Sequence, residues 1–165
     1  MNLRRALPIA AVVVATLAAL AASVPAAHAA DTPYVEGADA GAEIRQALAQ
    51  PVGGARPVLL VFGANWCGDC KVLDQAMKSG ASAAPIARDF KVVKIDVGRF
   101  DRNVDLAERY GVPLKKGIPA VAILSAKGEL LYATRGGELA DARNMGDAGI
   151  AGFFERVAGR APVKP

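Results

Sequence analysis

The hydrophobic pattern of the chain switches repeatedly between a helical period and short unbroken apolar runs. Residues 39–50 place Ile44, Ala47 and Leu48 at helical spacing, which predicts an amphipathic helix. "QPVGGARP" ends it with Pro51, Gly53, Gly54 and Pro57. "VLLVFG" (58–63) is continuously apolar and of strand length, as a strand covered on both faces should be. A helix is predicted in "CKVLDQAMKSG", with Val72 or Leu73 beside Ala76 and Met77 on one face. Another begins after Ser82 in "AAPIARDF", where the early Pro85 is tolerated.

The second half of the chain continues the alternation. "KVVKIDV" (91–97) predicts a strand. "DRNVDLAERYG" (101–111) predicts a helix capped by Asp101 and stopped by Gly111. "VPLKKGIP" predicts a loop, and "AVAIL" and "ELLYATR" two strands joined by a hairpin turn at "SAKG". A polar, glycine-bearing connection (136–149) precedes a closing amphipathic helix, "IAGFFERVAG", with Phe153, Phe154 and Val157. Crossover units followed by a terminal hairpin predict an α/β fold, a central mixed β-sheet flanked by helices.

The first thirty residues stand apart. Arg4 and Arg5 precede the uncharged "ALPIAAVVVATLAALAASV", and Ala27 and Ala29 frame His28 in "PAAHAA". A charged start, an apolar middle and a small-residue cleavage site are the parts of a secretory signal. The expected organisation is a cleaved signal at 1–29, a polar lead-in at 30–38, one domain at 39–160 and a tail at 161–165, with the mature chain starting at Ala30 or Asp31. That places the protein across the inner membrane, in the periplasm. The alternative is an uncleaved N-terminal helix acting as a membrane anchor.

Charge narrows the function classes. The chain has 20 Lys+Arg against 16 Asp+Glu, a net charge of +4 that falls to +2 when Arg4 and Arg5 leave with the signal. Basic residues form no dense stripe, so no nucleic-acid partner is expected. The one histidine, His28, lies in the signal.

The chemistry then rests on "NWCGDC" (65–70), which holds both cysteines of the chain. Two cysteines at i and i+3 at a helix start share a face and lie within reach of a disulfide. The first would sit at the positive end of the helix, which favours the thiolate, the form that attacks disulfides. A static structural disulfide is the alternative, although so short a loop would contribute little stability. A metal site would need more ligands than two thiols in a chain without further histidine. Copper delivery would want a histidine or methionine beside them, and only Met77 is near. Two packed core cysteines are the remaining alternative, disfavoured by the intervening Gly68 and Asp69.

"VLLVFGANWCGDCK", "KVVKIDV" and "AERYGVPLKKGIPAVAIL" together resemble the thioredoxin superfamily over about residues 55–135, with the flanking helices also fitting. The resemblance implies a thioredoxin-like fold and a thiol–disulfide oxidoreductase with no cofactor or metal beyond the Cys67–Cys70 pair. It makes Cys67 the attacking thiol, Cys70 the resolving one, and Trp66 a shaper of the substrate surface. Gly68 and Asp69 would tune the pair. Pro119 would be a cis proline facing the disulfide, with the Ile118 backbone offered to an extended substrate. Implied partners are proteins bearing disulfides and an electron-donor or acceptor protein, among them a membrane reductase; the protein itself is expected to be a monomer.

Three departures qualify the resemblance. Asp69 stands where thioredoxins have proline, and Val61 where they bury an aspartate; Val92 correspondingly replaces a buried lysine. The loop before Gly117 is longer and carries Lys115 and Lys116, which would either be plain solvated surface or favour acidic partners. Repulsion of the Cys67 thiolate by Asp69 predicts a reducing pair, nearer the roughly −270 mV of thioredoxin than the roughly −120 mV of a strong oxidant. Without a base, Cys70 is expected to titrate no lower than about 8.5, with Asp96 as the one candidate substitute.

Overall fold

The computed structural model describes residues 32–49 and 56–159. The expected signal, Ala30 and Asp31, the breaker residues 50–55 and the tail lie outside the described residues. The elements are α1 (Ala40–Ala49), β1 (Val58–Gly63), α2 (Gly68–Ser79), α3 (Ala83–Asp89), β2 (Lys91–Asp96), α4 (Val104–Arg109), β3 (Ala120–Leu124), β4 (Leu130–Ala133) and α5 (Ala142–Ala158). A 3₁₀ turn at Leu114–Lys116 separates α4 from β3.

The four strands form one mixed sheet in the order β2-β1-β3-β4. β1 runs parallel to β2 and antiparallel to β3, which pairs antiparallel with β4. All six residues of β1 are buried. Val58, Leu60 and Phe62 enter one core with Ala40 and Ile44 of α1 and Leu106 and Ala107 of α4. Leu59 and Val61 enter the other with Leu73 of α2, Ile86 of α3 and Ile150, Phe153 and Phe154 of α5. Successive strand side chains point to opposite faces, so two apolar layers on one strand demand helices on both sides. The expected thioredoxin-like arrangement, a mixed sheet between helices, is the observed one.

Two boundaries differ from the sequence reading. The helix expected from Asp101 begins at Val104, after Asn103 in a left-handed conformation (φ 51°). Asp101 does not cap it: its carboxylate accepts the Arg99 N–H at 2.9 Å, while the Asn103 amide donates to the Asp96 carbonyl at 2.8 Å. Local side-chain bonds of this kind hold Asx-rich stretches in turns. At the other end Gly111 (φ 68°) does stop the helix, its N–H bonding the Glu108 carbonyl and that of Val112 reaching Ala107, the paired closure of a Schellman motif. The second difference is α5, which starts at Ala142, inside the stretch expected to be a connection. Gly146 (φ 65°, ψ 173°) breaks the helical path there, so one short turn sits ahead of the main helix and blurs its periodicity.

The lead-in is also less polar in place than in composition. Pro33 and Tyr34 are buried, Tyr34 to 2% exposure. Asn65 holds this segment down: its side-chain carbonyl accepts the Tyr34 N–H at 3.0 Å and its amide donates to the Tyr34 carbonyl at 2.9 Å. The Tyr34 ring enters space left open by Gly63. A Cβ on Gly63 would overlap the Tyr34 hydroxyl and stand 2.9 Å from Cys70 Sγ. Gly63→Ala is therefore expected to destabilise the fold by about 1–3 kcal/mol through overpacking, measured as a drop in the denaturation midpoint.

Candidate active site

β1 delivers the chain directly to the first turn of α2. Cys67 is the N-cap of that helix, with extended backbone (φ −80°, ψ 116°). Its Sγ accepts the Cys70 N–H at 3.1 Å, so one of the otherwise unpaired amides of the helix start already points at the sulfur. Cys67 and Cys70 form a disulfide, with Cα atoms 5.2 Å apart. Cys67 keeps 5% of its surface and Cys70 none, so one sulfur edges the surface and the other lies beneath it.

The loop before β3 completes the surface around Cys67. The Ile118–Pro119 peptide is cis, and the Ile118 carbonyl oxygen lies 3.6 Å from Cys67 Sγ. Trp66 is 50% exposed and anchored by its indole N–H, which donates to the Gly98 carbonyl at 2.7 Å. Phe100 meets it edge-on, with ring centroids 5.9 Å apart, and the Arg99 guanidinium lies 6.0 Å from the Trp66 ring. Phe100 is itself 45% exposed and has positive φ (66°). It is a member of the surface that sequence reading missed, since nothing in "GRFDRN" separates an exposed Phe from a core one. Lys115 and Lys116 are exposed on the 3₁₀ turn preceding Gly117.

Asp69 is not free to act on the thiolate as expected. It is 8% exposed and its carboxylate accepts the Arg143 backbone N–H at 3.0 Å, the Arg143 Nε–H at 3.1 Å and an ion pair from Nη2 at 3.1 Å. Burial pushes its carboxyl up. The Arg143 N–H, its guanidinium bond and its positive charge together outweigh that and hold the carboxyl below its ordinary range. The guanidinium passes over Gly68, where a Cβ would meet Arg143 Nη1 at 3.4 Å. The loop between the cysteines thus carries a neutral pair where the sequence suggested a bare negative charge.

Behind Cys70 the structure is polar in a way the sequence reading did not anticipate. Val61 is buried and Val92 is 38% exposed, so neither supplies a proton acceptor. Asp96 is committed elsewhere: its carboxylate accepts Arg102 at 2.8 Å and the Gly98 N–H at 3.1 Å. A buried carboxylate that the sequence reading did not include is Asp74, 4% exposed on α2, paired with Lys94 of β2 and, at 2.7 Å, with Lys78. Asp74 follows Cys70 by four residues, one helical turn, on the face that also holds Leu73. A charge on an otherwise apolar helical face was the available signal. Burial, then the charges of Asp74 and Asp96, push the Tyr34 phenol well above its ordinary range, so it remains a neutral donor.

Because the Asp69 carboxyl is held below its unfolded value, the stability contributed by the Arg143 pair is present above the ordinary aspartate pKa of about 3.9. It is lost as pH falls through the folded-state value. Arg143→Ala should therefore cost about 1 kcal/mol at neutral pH, a modest figure because the guanidinium is 64% exposed and screened. The difference from wild type should shrink as pH falls beneath the ordinary aspartate value, measured by denaturant titration at several pH values.

Residues 39–126 match the model of a family described as Thioredoxin-like. Protein disulfide-isomerase erp38 of Neurospora crassa is 30% identical over 109 residues, which are 65% of this chain and 28% of that protein. Thiol:disulfide interchange protein DsbD 1 of Pseudomonas aeruginosa is 28% identical over 117 residues, 70% of this chain and 18% of the relative. The chain thus spans well under a third of either. Thioredoxin 1 of Chlorobaculum tepidum is 37% identical over 84 residues, 48% of this chain and 70% of that one. Among solved structures, a disulphide isomerase from Xylella fastidiosa Temecula1 superposes with a TM-score of 0.74 at 50% identity, covering 78% of this chain and 98% of that one. A disulfide at the head of α2, a mixed sheet between helices and these likenesses together place the chain in the thioredoxin-like family.

Proposed function

We propose that this protein is an exported thiol–disulfide oxidoreductase that reduces disulfides of other proteins in the periplasm. The observation that carries this reading is the unequal placement of the two sulfurs. Cys67 lies at the surface edge, at the positive end of α2, and Cys70 lies fully buried within bonding distance behind it. In the reduced protein the Cys67 thiolate attacks a substrate disulfide and forms a mixed disulfide. Cys70 then displaces the substrate sulfur and closes the Cys67–Cys70 bond. An extended substrate segment would lie against the Ile118 backbone beside Pro119, with Trp66 and Phe100 giving it an apolar shelf. Recharging needs an electron-donor protein, for which a membrane reductase is the expected source.

The direction of electron flow follows from charge. Strong oxidants need a very stable thiolate in the reduced form. Among the described residues, Arg143 is the cation laid over the Cys67–Cys70 loop, and it is paired with Asp69, so the helix end acts on Cys67 without a net charge from this pair to help it. The potential is expected near that of thioredoxin, about −270 mV, measured by glutathione equilibration; a value above about −180 mV would contradict the reducing role. Asp69→His removes the partner of Arg143 and should raise the potential by about 20 mV.

Insulin reduction tests the activity itself. Cys67→Ser is expected to abolish it, and Cys70→Ser to accumulate mixed disulfides through Cys67. Equal trapping by the two variants would overturn the assigned roles, and an inactive wild type would favour a binding module with a static disulfide. Export is tested separately by the intact mass of protein recovered from the periplasm, expected to begin at Ala30 or Asp31.

A further inference from the structure

We propose that the Tyr34 hydroxyl is the hydrogen-bond donor that stabilises the Cys70 thiolate during resolution, a role that rests on the exchange reaction proposed above. A Cβ at Gly63 would touch both the phenol oxygen and Cys70 Sγ, so the two atoms flank a single point in the space under α2. Tyr34 is 2% exposed, and its hydrogen bonds among the described residues are those of its backbone to Asn65. In the disulfide form the neighbouring sulfur is a poor acceptor; on reduction it becomes a thiol and then a thiolate, a strong one.

The charged groups facing this space are paired. From α2, Asp74 is paired with Lys78 and, across to β2, with Lys94. Asp96 of β2 is paired with Arg102, and Asp69 with Arg143 of α5. None of these hydrogen-bonds to Cys70 Sγ; Tyr34 is the donor placed beside it. Burial and the two acidic neighbours also keep the phenol protonated, so it donates without surrendering its proton.

In the step itself, the Cys70 thiol loses its proton and the sulfur's electron pair forms the bond to Cys67 Sγ; the bond between Cys67 and the substrate sulfur breaks, and the substrate leaves as a thiol carrying that proton. The substrate disulfide has then gained two electrons and the cysteine pair has lost two. Hydrogen bonding to the charged form lowers a pKa, so Tyr34 should bring Cys70 below the value expected for a thiol without help.

The experiment mixes reduced full-length mature protein with one equivalent of an aromatic disulfide whose released thiol is coloured. The first equivalent of colour reports attack by Cys67 and the second reports resolution by Cys70. In Tyr34→Phe, which keeps the ring, the second release should slow about tenfold at pH 7 and its pH midpoint should rise by about one unit, with the midpoint of the first unchanged. Asn65→Ala, which loosens the segment that carries the hydroxyl, should shift the second midpoint in the same direction by less. An unchanged second midpoint in Tyr34→Phe, or an equal shift of the first midpoint, overturns the proposal. A first release that persists in Cys67→Ser would instead overturn the exchange reading beneath it.

Discussion

A strand with almost no exposed surface sets the terms for everything around it. Val58–Gly63 buries every residue, and its backbone groups are satisfied by β2 on one side and β3 on the other. Such a strand is stable only if both faces are covered with apolar material. α1 and α4 supply one cover and α2, α3 and α5 the other. The active sulfur is placed by the same requirement. Where β1 ends, the chain must turn out of the sheet and into α2, and Cys67 occupies that turn.

Around this apolar frame, three buried acids are each answered by a base: Asp69 by Arg143 and Asp74 by Lys94 across long stretches of chain, and Asp96 by the nearby Arg102. An unpaired charge in such positions would be strongly destabilising. The pairs also fix geometry. Arg143 pins the first turn of α5 to the loop between the cysteines, and Arg102 with Asp96 braces the 97–103 segment that carries Phe100 and receives the Trp66 indole.

What could be read from the residues alone was whatever has a period or a fixed spacing. β1 announced itself by an unbroken apolar run, α2 by its one-sided pattern, and the redox pair by the two-residue gap beside Trp66. What escaped were contacts between segments far apart in sequence. Arg143 lies 74 positions from Asp69, and Asn65 grips Tyr34 across 31; neither leaves a local signature. Asp101 was assigned as a cap because its residue type suits one, yet a competing turn at 99–103 claimed its carboxylate. Asp74 was legible in principle, since helical spacing alone puts it on the face of Cys70.

The span shared with the family begins at residue 39 and ends at 126. Tyr34 falls before it and Arg143 after it, yet both reach back to the cysteine motif. The family span therefore carries both sulfurs, while Tyr34 and Arg143 reach them from outside it. β4 and α5, which complete the sheet and one of its covers, also lie outside that span. A recombinant fragment cut to the shared span would keep its cysteines and lose the surroundings that distinguish them.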